Sequence, residues 1–320
     1  MRDLQRRLGA LGLDTSADEA GRYGPATVVA VRALQARRGL PESGVCDAVT
    51  WEALVEAGWR LGDRPLYLAQ PMLRGDDVAE LQRRLSALGF DVGRVDGIFG
   101  SRTDRALADF QRNAGIVCDA VCGPATIAGL LRLGDRPSAS PPSPSVSVGA
   151  VRERERLRQG PKSLVGRVFA LGHGGGLDAL TSAAARSLVD AGAVAMVLQD
   201  PDGSDQAARA NSLSVDAFLG LAVADDAMTC RVSYYRDPGG WESPGGRLLA
   251  ELLADAAAPL LGCKPGGTLG MSLPLLRETR MPAVVAELAP PAAIVEQTAA
   301  LASVIPAVLD RWIHRLHDDT

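Results

Sequence analysis

An internal duplication constrains the fold of this chain more than any other feature of its sequence. The stretch LQRRLGALGLD at residues 4–14 recurs almost letter for letter as LQRRLSALGFD at residues 81–91. The similarity continues downstream, where GPAT at 24–27 corresponds to GSRT at 100–103. It extends to the end of each copy, where RLGDRP occurs at 60–65 and again at 132–137. A repeat of this kind marks two copies of one small folding unit. We therefore expect two modules, at residues 1–60 and 72–135.

Each copy predicts a bundle of three helices. In the second copy, leucines spaced at i, i+4 and i+7 form the apolar face of a first helix, at Leu81, Leu85 and Leu88. Asp76 and Asp77 precede it, where a carboxylate can cap the free N–H groups of a helix. A second helix is expected over Thr103–Phe110 and a third from Pro124, because proline suits the first helical position. Such a bundle of about 60 residues lies near the lower size limit for an independently stable fold.

The start and the charge of the chain bear on its location and partners. Met1 aligns with Val78, so the first module begins inside its own first helix, and we expect the true translation start to lie upstream. The sequence contains no signal-peptide core and no apolar run of about 20 residues, which favours a cytoplasmic protein that reaches membranes only through its partners.

A net charge of −4 and a pI near 5.5 argue against nucleic acid as a partner.

The cysteines do not follow a spacing typical of disulfide frameworks or zinc sites. They are odd in number and lie in different modules, at Cys46, Cys118, Cys122, Cys230 and Cys263. Cys118 and Cys122 are close in sequence, but no second pair stands at zinc-site spacing. We interpret all of them as buried free thiols of a protein in a reducing compartment.

A segment rich in proline and serine follows the repeated modules. Residues 138–145 read SASPPSPS, a composition that is extended and cannot pack a core. The mixed-charge run RERER follows at 152–156 and is typical of a solvated helix face. We predict a linker over 136–162 and one further domain over 163–317.

The last domain alternates short apolar strands with helices, which predicts an α/β layer with a mostly parallel sheet. Strands are expected at Val168–Leu171, Ala193–Leu198, Ala217–Val223, Arg231–Tyr235 and Val284–Leu288. Helices are expected at Leu180–Ala191, Gly246–Leu261 and Ile294–Leu316. The first strand runs into the glycine-rich turn GHGGG at 172–176. His173 is therefore a candidate site residue, because such sheets place their chemistry at the carboxyl ends of strands.

The repeated modules resemble the peptidoglycan-binding module of bacterial cell-wall enzymes. Residues 78–131 carry the family's order of motifs: LQRRL, LGF, VDGIFG, AL followed by FQ, and GPAT. Residues 1–54 resemble it more loosely, because ADEA at 17–20 replaces the VDG turn. The resemblance implies a shallow groove for muropeptide or glycan and assigns no residue that must bind it.

The last domain resembles the zinc-dependent N-acetylmuramoyl-L-alanine amidase domain across residues 163–315. ALGHGG at 170–175 stands where the family has its DPGHGG-type turn, and PAVVAE at 282–287 stands where it has its last strand. The resemblance implies a zinc ion held by a histidine, a glutamate and a second histidine, with a later glutamate as general acid/base. It assigns His173 to the first ligand position and Glu287 to the catalytic glutamate.

The ligand set that this resemblance implies is incomplete in the sequence. A catalytic zinc needs three protein ligands and one open position for water. The position of the second histidine holds Ala222, and the loop that should supply the ligand glutamate is shortened, with Asp178 as its only acidic residue. We therefore expect no zinc cofactor and no catalysis, and we expect Glu287 to persist as a hydrogen-bonded structural carboxylate.

Other potential donors do not complete the set. Three aspartates could approach His173, but carboxylates alone make poor zinc sites; they are Asp178, Asp225 and Asp226. The remaining histidines, His314 and His317, lie among charged residues and are expected at a solvated helix end.

The layout of the whole chain resembles a family of actinobacterial regulators that join two such modules to a degenerate amidase domain. This resemblance implies a cytoplasmic, non-catalytic regulator of peptidoglycan precursor synthesis. Its implied partners are peptidoglycan fragments or lipid-linked precursors, the enolpyruvyl transferase MurA and a MurJ-type flippase, under the control of a serine/threonine kinase.

Two alternative functions stay open at this stage. The first is an exported, active zinc-dependent amidase that cleaves the bond between N-acetylmuramic acid and L-alanine and uses unusual zinc ligands. The second is a peptidoglycan-binding adaptor without a regulatory role. Metal content and cleavage separate the first alternative from the regulator, and binding to insoluble peptidoglycan or to MurA separates the second.

Overall fold

The structure is a computed structural model that describes residues 1–134, 153, 155, 157, 159–224, 230–237, 240–263 and 267–318. The chain divides into two compact units, residues 1–145 and 146–320. We call the first the helical unit and the second the α/β unit, and describe each by itself. The predicted proline- and serine-rich spacer lies outside the described residues.

The helical unit contains two bundles of three helices, which confirms the predicted fold of the repeat. Module 1 contains α1 (Arg2–Ala10), α2 (Pro25–Arg38) and α3 (Ala48–Ala57). Module 2 contains α4 (Asp76–Ala87), α5 (Ser101–Asn113) and α6 (Pro124–Gly134). The leucines that recur in the duplicated stretch are buried in both cores, namely Leu4 and Leu8 in module 1 and Leu81 and Leu85 in module 2.

A glutamine side chain clamps each interhelical loop of the two modules. Gln82 of α4 donates through Nε2 to Asp96 Oδ1 at 2.9 Å and to Thr103 Oγ1 at 3.1 Å. Its Oε1 accepts from the backbone N–H groups of Asp96 and Gly97. The same arrangement recurs with Gln5 and Thr27, Gln35 and Thr50, and Gln111 and Thr126. Because a buried amide needs partners for all of its polar atoms, each clamp fixes a loop against two helices.

Residues 61–75, called here the connecting segment, lie across module 2. Leu66 is fully buried, and its backbone N–H donates to the Cys122 carbonyl at 3.3 Å. The Cys122 N–H donates back to the Leu66 carbonyl at 2.8 Å. Farther along the segment, the Leu73 carbonyl accepts from the Phe99 N–H at 2.9 Å. The connecting segment therefore contributes to the core of module 2.

The prediction that Asp76 and Asp77 precede α4 is wrong, although the Asp77 carboxylate does accept a backbone N–H of the first turn, from Val78 at 2.9 Å. The helix begins at Asp76 itself, after a glycine without a capping side chain. The Asp76 carboxylate accepts two hydrogen bonds from Arg38 of α2, at 2.6 and 2.7 Å, which joins the modules. The fully buried Asp77 carboxylate accepts from Arg64 Nε at 2.7 Å. Both carboxylates lie beside arginines, and hydrogen bonds between two charged groups are among the stronger ones in proteins.

In the residues that the structure describes, the α/β unit is built on one six-stranded sheet in the order β2-β1-β3-β6-β4-β5. The strands are β1 (Val168–His173), β2 (Val194–Gln199), β3 (Ala217–Val223), β4 (Cys230–Tyr235), β5 (Thr268–Met271) and β6 (Ala283–Leu288). β4 is antiparallel to β6 and parallel to β5, and the other pairs are parallel. The prediction of a mostly parallel sheet is confirmed.

Helices cover both faces of the sheet. One face packs against α7 (Asp178–Asp190), α9 (Pro244–Ala257) and the long α12 (Thr298–Asp318). The other face packs against α8 (Gly203–Leu213) and α10 (Pro274–Glu278), and the short α11 (Pro291–Glu296) precedes α12. No helix in the described ranges combines the length and the hydropathy needed to cross a membrane.

Several elements of this unit differ from the sequence-based expectation. α8, α10 and β5 were not predicted, and the single helix expected over Ile294–Leu316 is two helices, α11 and α12. The buried side of α8 consists of Gln206, Ala207 and Ala210, so its apolar periodicity is weak. β5 is a partly exposed edge strand of four residues, too short to show alternation.

A buried arginine anchors the segment that leads into β1. The Arg167 guanidinium is fully buried; it donates to the carbonyls of Pro161 at 2.8 Å and Leu157 at 3.3 Å, and it pairs with Asp216 at 3.2 Å. Burial lowers the pKa of Arg167, and Asp216 offsets part of this effect. Leu157 is itself buried in the core. The end of the segment predicted as a linker over 136–162 therefore packs as part of the α/β unit.

Candidate functional site at the carboxyl ends of β1, β3 and β6

The carboxyl ends of three neighbouring strands carry the residues that were predicted to form a site. β1 ends at His173, a glycine turn follows, and α7 begins at Asp178. Gly175 and Gly176 adopt φ values of 131° and 74°, which favour glycine, so the glycine run allows the chain to turn from the strand into the helix. Ala222 and Glu287 each stand one residue before the end of their strands. Parallel sheets commonly bind ligands at such an edge.

The His173 imidazole is buried where β1 leads into α7. Its side chain is 1% exposed, and Nε2 lies 3.9 Å from Asp178 Oδ1, too far for a hydrogen bond. Its Nδ1 is buried and has no hydrogen-bond partner among the described residues. A buried polar atom without a partner costs about 1–3 kcal/mol. Asp178, in contrast, is mostly exposed.

Glu287 forms an ion pair across the sheet with Arg231. Arg231 stands opposite Glu287 in the antiparallel pairing of β4 with β6, and its Nη1 donates to Glu287 Oε2 at 3.4 Å. Both side chains are about one-third exposed, at 37% and 35%. Glu287 is thus hydrogen-bonded, and its role as a structural carboxylate stays a prediction. Sequence reasoning missed Arg231, although its place in a strand that alternates polar and apolar residues was a usable signal.

The register of the sheet separates His173 from Glu287. His173 stands opposite Leu221 in β3, and Leu221 stands opposite Ala286 in β6. Residues that stand opposite each other point to the same face, and successive residues point to opposite faces. The pleat therefore directs His173 to the face of Leu221 and Ala286, in the larger core. It directs Ala222 and Glu287, which stand opposite each other, to the other face.

The donors that the structure describes at this edge do not fit a catalytic zinc ion. Three protein ligands are required, and no group of three histidine, cysteine, aspartate or glutamate side chains in the described ranges is arranged to hold a metal. His173 and Asp178 could supply two ligands, but the position of the second histidine holds the methyl group of Ala222, on the opposite face. Asp225 and Asp226, which were named as residues that could approach His173, lie outside the described residues.

The remaining candidate residues do not join this edge. His314 is exposed on α12 and lies 3.5 Å from Asp310, as expected for a solvated helix. His317 is half-buried, which differs from the expectation, and its Nδ1 lies 2.8 Å from the Ile313 carbonyl. The cysteines are unpaired, but Cys118 is exposed, so the prediction that all are buried is wrong. Cys118 lies in the loop before α6, which turns it away from the core of module 2.

Comparisons with known proteins match both parts of the chain. Residues 1–54 and 74–130 match the family described as "Putative peptidoglycan binding domain". The chain is 34% identical over 285 residues to the N-acetylmuramoyl-L-alanine amidase CwlM of Mycobacterium tuberculosis, which covers 80% of this chain and 68% of the relative. It is 32% identical over 151 residues to the N-acetylmuramoyl-L-alanine amidase CwlL of Bacillus licheniformis, which covers 41% of this chain and 42% of that relative.

A solved structure with a similar fold is that of the N-acetylmuramyl-L-alanine amidase Ami1 from Mycobacterium smegmatis. It is 15% identical and has a TM-score of 0.40, and the match covers 48% of this chain and 99% of that one. The match that covers 80% of this chain is to a protein that carries the amidase name, and the repeated part matches a peptidoglycan-binding family.

Proposed function

Because this chain belongs to the CwlM family of amidase-like proteins, we propose that it is a non-catalytic regulator of peptidoglycan precursor synthesis in the cytoplasm. In this proposal the helical unit recognises peptidoglycan fragments or lipid-linked precursors. The α/β unit serves as a binding scaffold without hydrolytic chemistry. The regulated step is that of a MurA-type enolpyruvyl transferase, with a MurJ-type flippase and a serine/threonine kinase as further partners.

The incomplete donor set at the strand ends is the observation that carries this proposal. Hydrolysis of an amide by a zinc enzyme needs a metal that activates water and a carboxylate that transfers the proton. Here His173 and Glu287 point to opposite faces of the sheet, so they do not converge on one point. The Glu287 carboxylate is engaged by Arg231. A scaffold that retains its fold without convergent chemical groups is suited to binding.

The first test asks whether the chain cleaves a muropeptide. We expect that purified chain with added zinc releases no peptide from N-acetylmuramoyl-L-alanine substrates, and that Glu287→Gln behaves as the unaltered chain does. Cleavage by the unaltered chain, abolished by His173→Ala and by Glu287→Gln, would establish the amidase alternative instead.

The second test measures the rate of a MurA-type enzyme with and without this chain. We expect a change in kcat or KM that saturates with the amount of chain added, and the same change with His173→Leu, because the proposal assigns that residue no chemistry. An unchanged rate would contradict regulation of this enzyme. If the chain then still sediments with insoluble peptidoglycan, the adaptor function is favoured.

A further inference from the structure

The two edges of the six-stranded sheet differ in how they are protected against pairing with another strand. β5 forms one edge and is only four residues long. The Arg236 side chain lies against this strand, since a Cβ built on Gly270 would be 2.6 Å from Arg236 Cδ. Short edge strands and charged side chains are two of the ways in which proteins prevent such pairing. The edge at β5 is therefore protected.

β2 forms the other edge and carries neither protection. It has six residues, of which five are apolar, and no charged residue stands between Asp190 and Asp200. Proline and lysine, which commonly blunt the edge of a sheet, do not occur in β2. In the described part of the chain, no strand lies beyond it. β2 is thus an apolar edge that is open to a further strand.

The backbone of β2 directs half of its polar groups away from the sheet. The Val194 N–H donates inward at 2.8 Å, to the carbonyl of Arg167 at the start of β1. Along a strand, residues that bond to one neighbour alternate with residues that point the other way. The N–H and C=O groups of Ala195 and Val197 therefore point outward, where the described residues contain no strand to pair with them. Such groups are a template for a further strand.

Exposed valines surround this edge. Val194 and Val197, on β2 itself, are 46% and 38% exposed. Val165 and Val189 are 64% and 55% exposed and lie at the turn into β2. The Val189 carbonyl accepts from the Gly192 N–H at 2.9 Å, and a Cβ built on Gly192 would be 3.0 Å from Val165 Cγ2. These valines are half of the exposed large hydrophobic side chains that the structure describes in the α/β unit. Apolar surface concentrated in this way marks an interaction site.

The β2 edge is complementary to the same edge of a second copy. The charge-free run of residues 191–199 has Ala195 at its centre. A two-fold axis beside Ala195 pairs the two β2 strands in antiparallel orientation, with the outward N–H and C=O groups of Ala195 bonded across the axis. Positions equally distant from Ala195 then stand opposite each other, as Val194 does to Met196. Every pair within the run is uncharged, so the contact buries no ion.

We propose that the chain forms a closed dimer in which β2 pairs with β2 of a second copy, so that the two sheets join across a two-fold axis. The other way to pair edges, β2 against β5 of the next copy, would extend into open filaments. The shortness of β5 and the Arg236 side chain oppose that arrangement. The dimer does not depend on the regulatory function proposed above.

Sedimentation equilibrium of the full chain over a series of concentrations tests the proposal. We expect a reversible equilibrium between one chain of 33.4 kDa and twice that mass. Val197→Lys places a charge on the β2 edge, and we expect it to weaken dimerisation by about tenfold or more. Because Val197 is partly exposed at an edge, the variant should unfold at the temperature of the unaltered chain.

A matched control places the same change on the opposite edge of the sheet. Leu269 lies on β5 and is 41% exposed, close to the 38% of Val197. We expect Leu269→Lys to dimerise as the unaltered chain does. Hydrogen exchange supplies a second readout, because pairing protects the outward N–H groups of β2. Exchange of the peptide that spans residues 194–199 should slow with rising concentration in the unaltered chain and in Leu269→Lys, but not in Val197→Lys.

Four results would overturn the proposal. One is a mass of a single chain at every concentration. Another is a dimer that Val197→Lys leaves intact, since a different surface would then hold the two copies together. Equal weakening by Leu269→Lys would show an effect of added charge that does not depend on the edge. A mass that keeps growing with concentration would show open assembly instead of a closed pair.

Discussion

The interhelical loops of the repeated modules and the strand ends of the α/β unit differ in how completely their polar groups are used. In the modules, each glutamine clamp bonds to a loop carbonyl, a loop N–H and a threonine hydroxyl. At the strand ends, His173 Nδ1 is buried without a partner in the described part of the chain, and Ala222 offers only a methyl group. The difference teaches that the clamp glutamines of the modules are fully used in holding the fold together, whereas the polar groups described at the strand ends are not held in one arrangement.

Arg64→Ala should produce the largest loss in the modules. It leaves the fully buried Asp77 carboxylate without its arginine, and such a loss lowers the free energy of unfolding by about 3 kcal/mol. Chemical denaturation followed by circular dichroism measures it. The control is Arg38→Ala, whose partner Asp76 is 43% exposed and for which we expect about 1 kcal/mol or less. Equal losses for the two variants would contradict the importance of the buried carboxylate.

Gln82→Ala tests a single clamp and should have the next largest effect. It removes an amide that bonds to Asp96, Gly97 and Thr103, so we expect the free energy of unfolding to fall by about 2 kcal/mol. The same change at Gln5, whose clamp is more exposed to solvent, should cost less. A negligible loss at Gln82 would show that water replaces the clamp, and the contrast with the strand ends would weaken.

His173→Leu should act in the opposite direction at the strand ends. Because it removes a buried nitrogen that has no hydrogen-bond partner among the described residues, we expect the free energy of unfolding to rise by about 1 kcal/mol at neutral pH. Thermal unfolding with and without zinc measures this effect. Zinc could instead raise the unfolding temperature of the unaltered chain but not that of the variant. His173 would then be a metal ligand, and the contrast between the modules and the strand ends would be contradicted.

Glu287→Gln should have the smallest effect. The ion pair with Arg231 is partly exposed, and such pairs contribute about 0.5 kcal/mol, so we expect the stability to stay close to that of the unaltered chain. Arg231→Gln serves as the matched variant, and the pair together forms a double-mutant cycle. A coupling energy well above 1 kcal/mol would show that this carboxylate is held more strongly than its exposure indicates.

The sequence predicted the modules more accurately than the strand ends for a physical reason. Helix periodicity and turn residues are local, and the duplication presented them twice, so all of α1 to α6 were foreseen. The alanine at position 222, where the family has its second histidine, could be read directly from the sequence. The orientation of His173 and Glu287 toward opposite faces of the sheet could not be predicted, because the register between distant strands depends on tertiary packing.

Contacts between distant parts of the chain account for the other differences. Asp76 and Asp77 had the composition of caps, but Arg38 and Arg64 bind them from residues distant in sequence. Nothing local in the sequence indicated that the connecting segment would pack against module 2 and contribute Leu66 to its core.

A zinc titration of the full chain tests the central claim most directly. Metal-free chain is titrated with zinc by calorimetry in parallel with His173→Ala, and bound zinc is then quantified after dialysis. The account predicts no saturable binding that depends on His173 and no zinc retained after dialysis. One zinc retained per chain and lost in His173→Ala would contradict the account, because the strand ends would then hold the metal that amide hydrolysis requires.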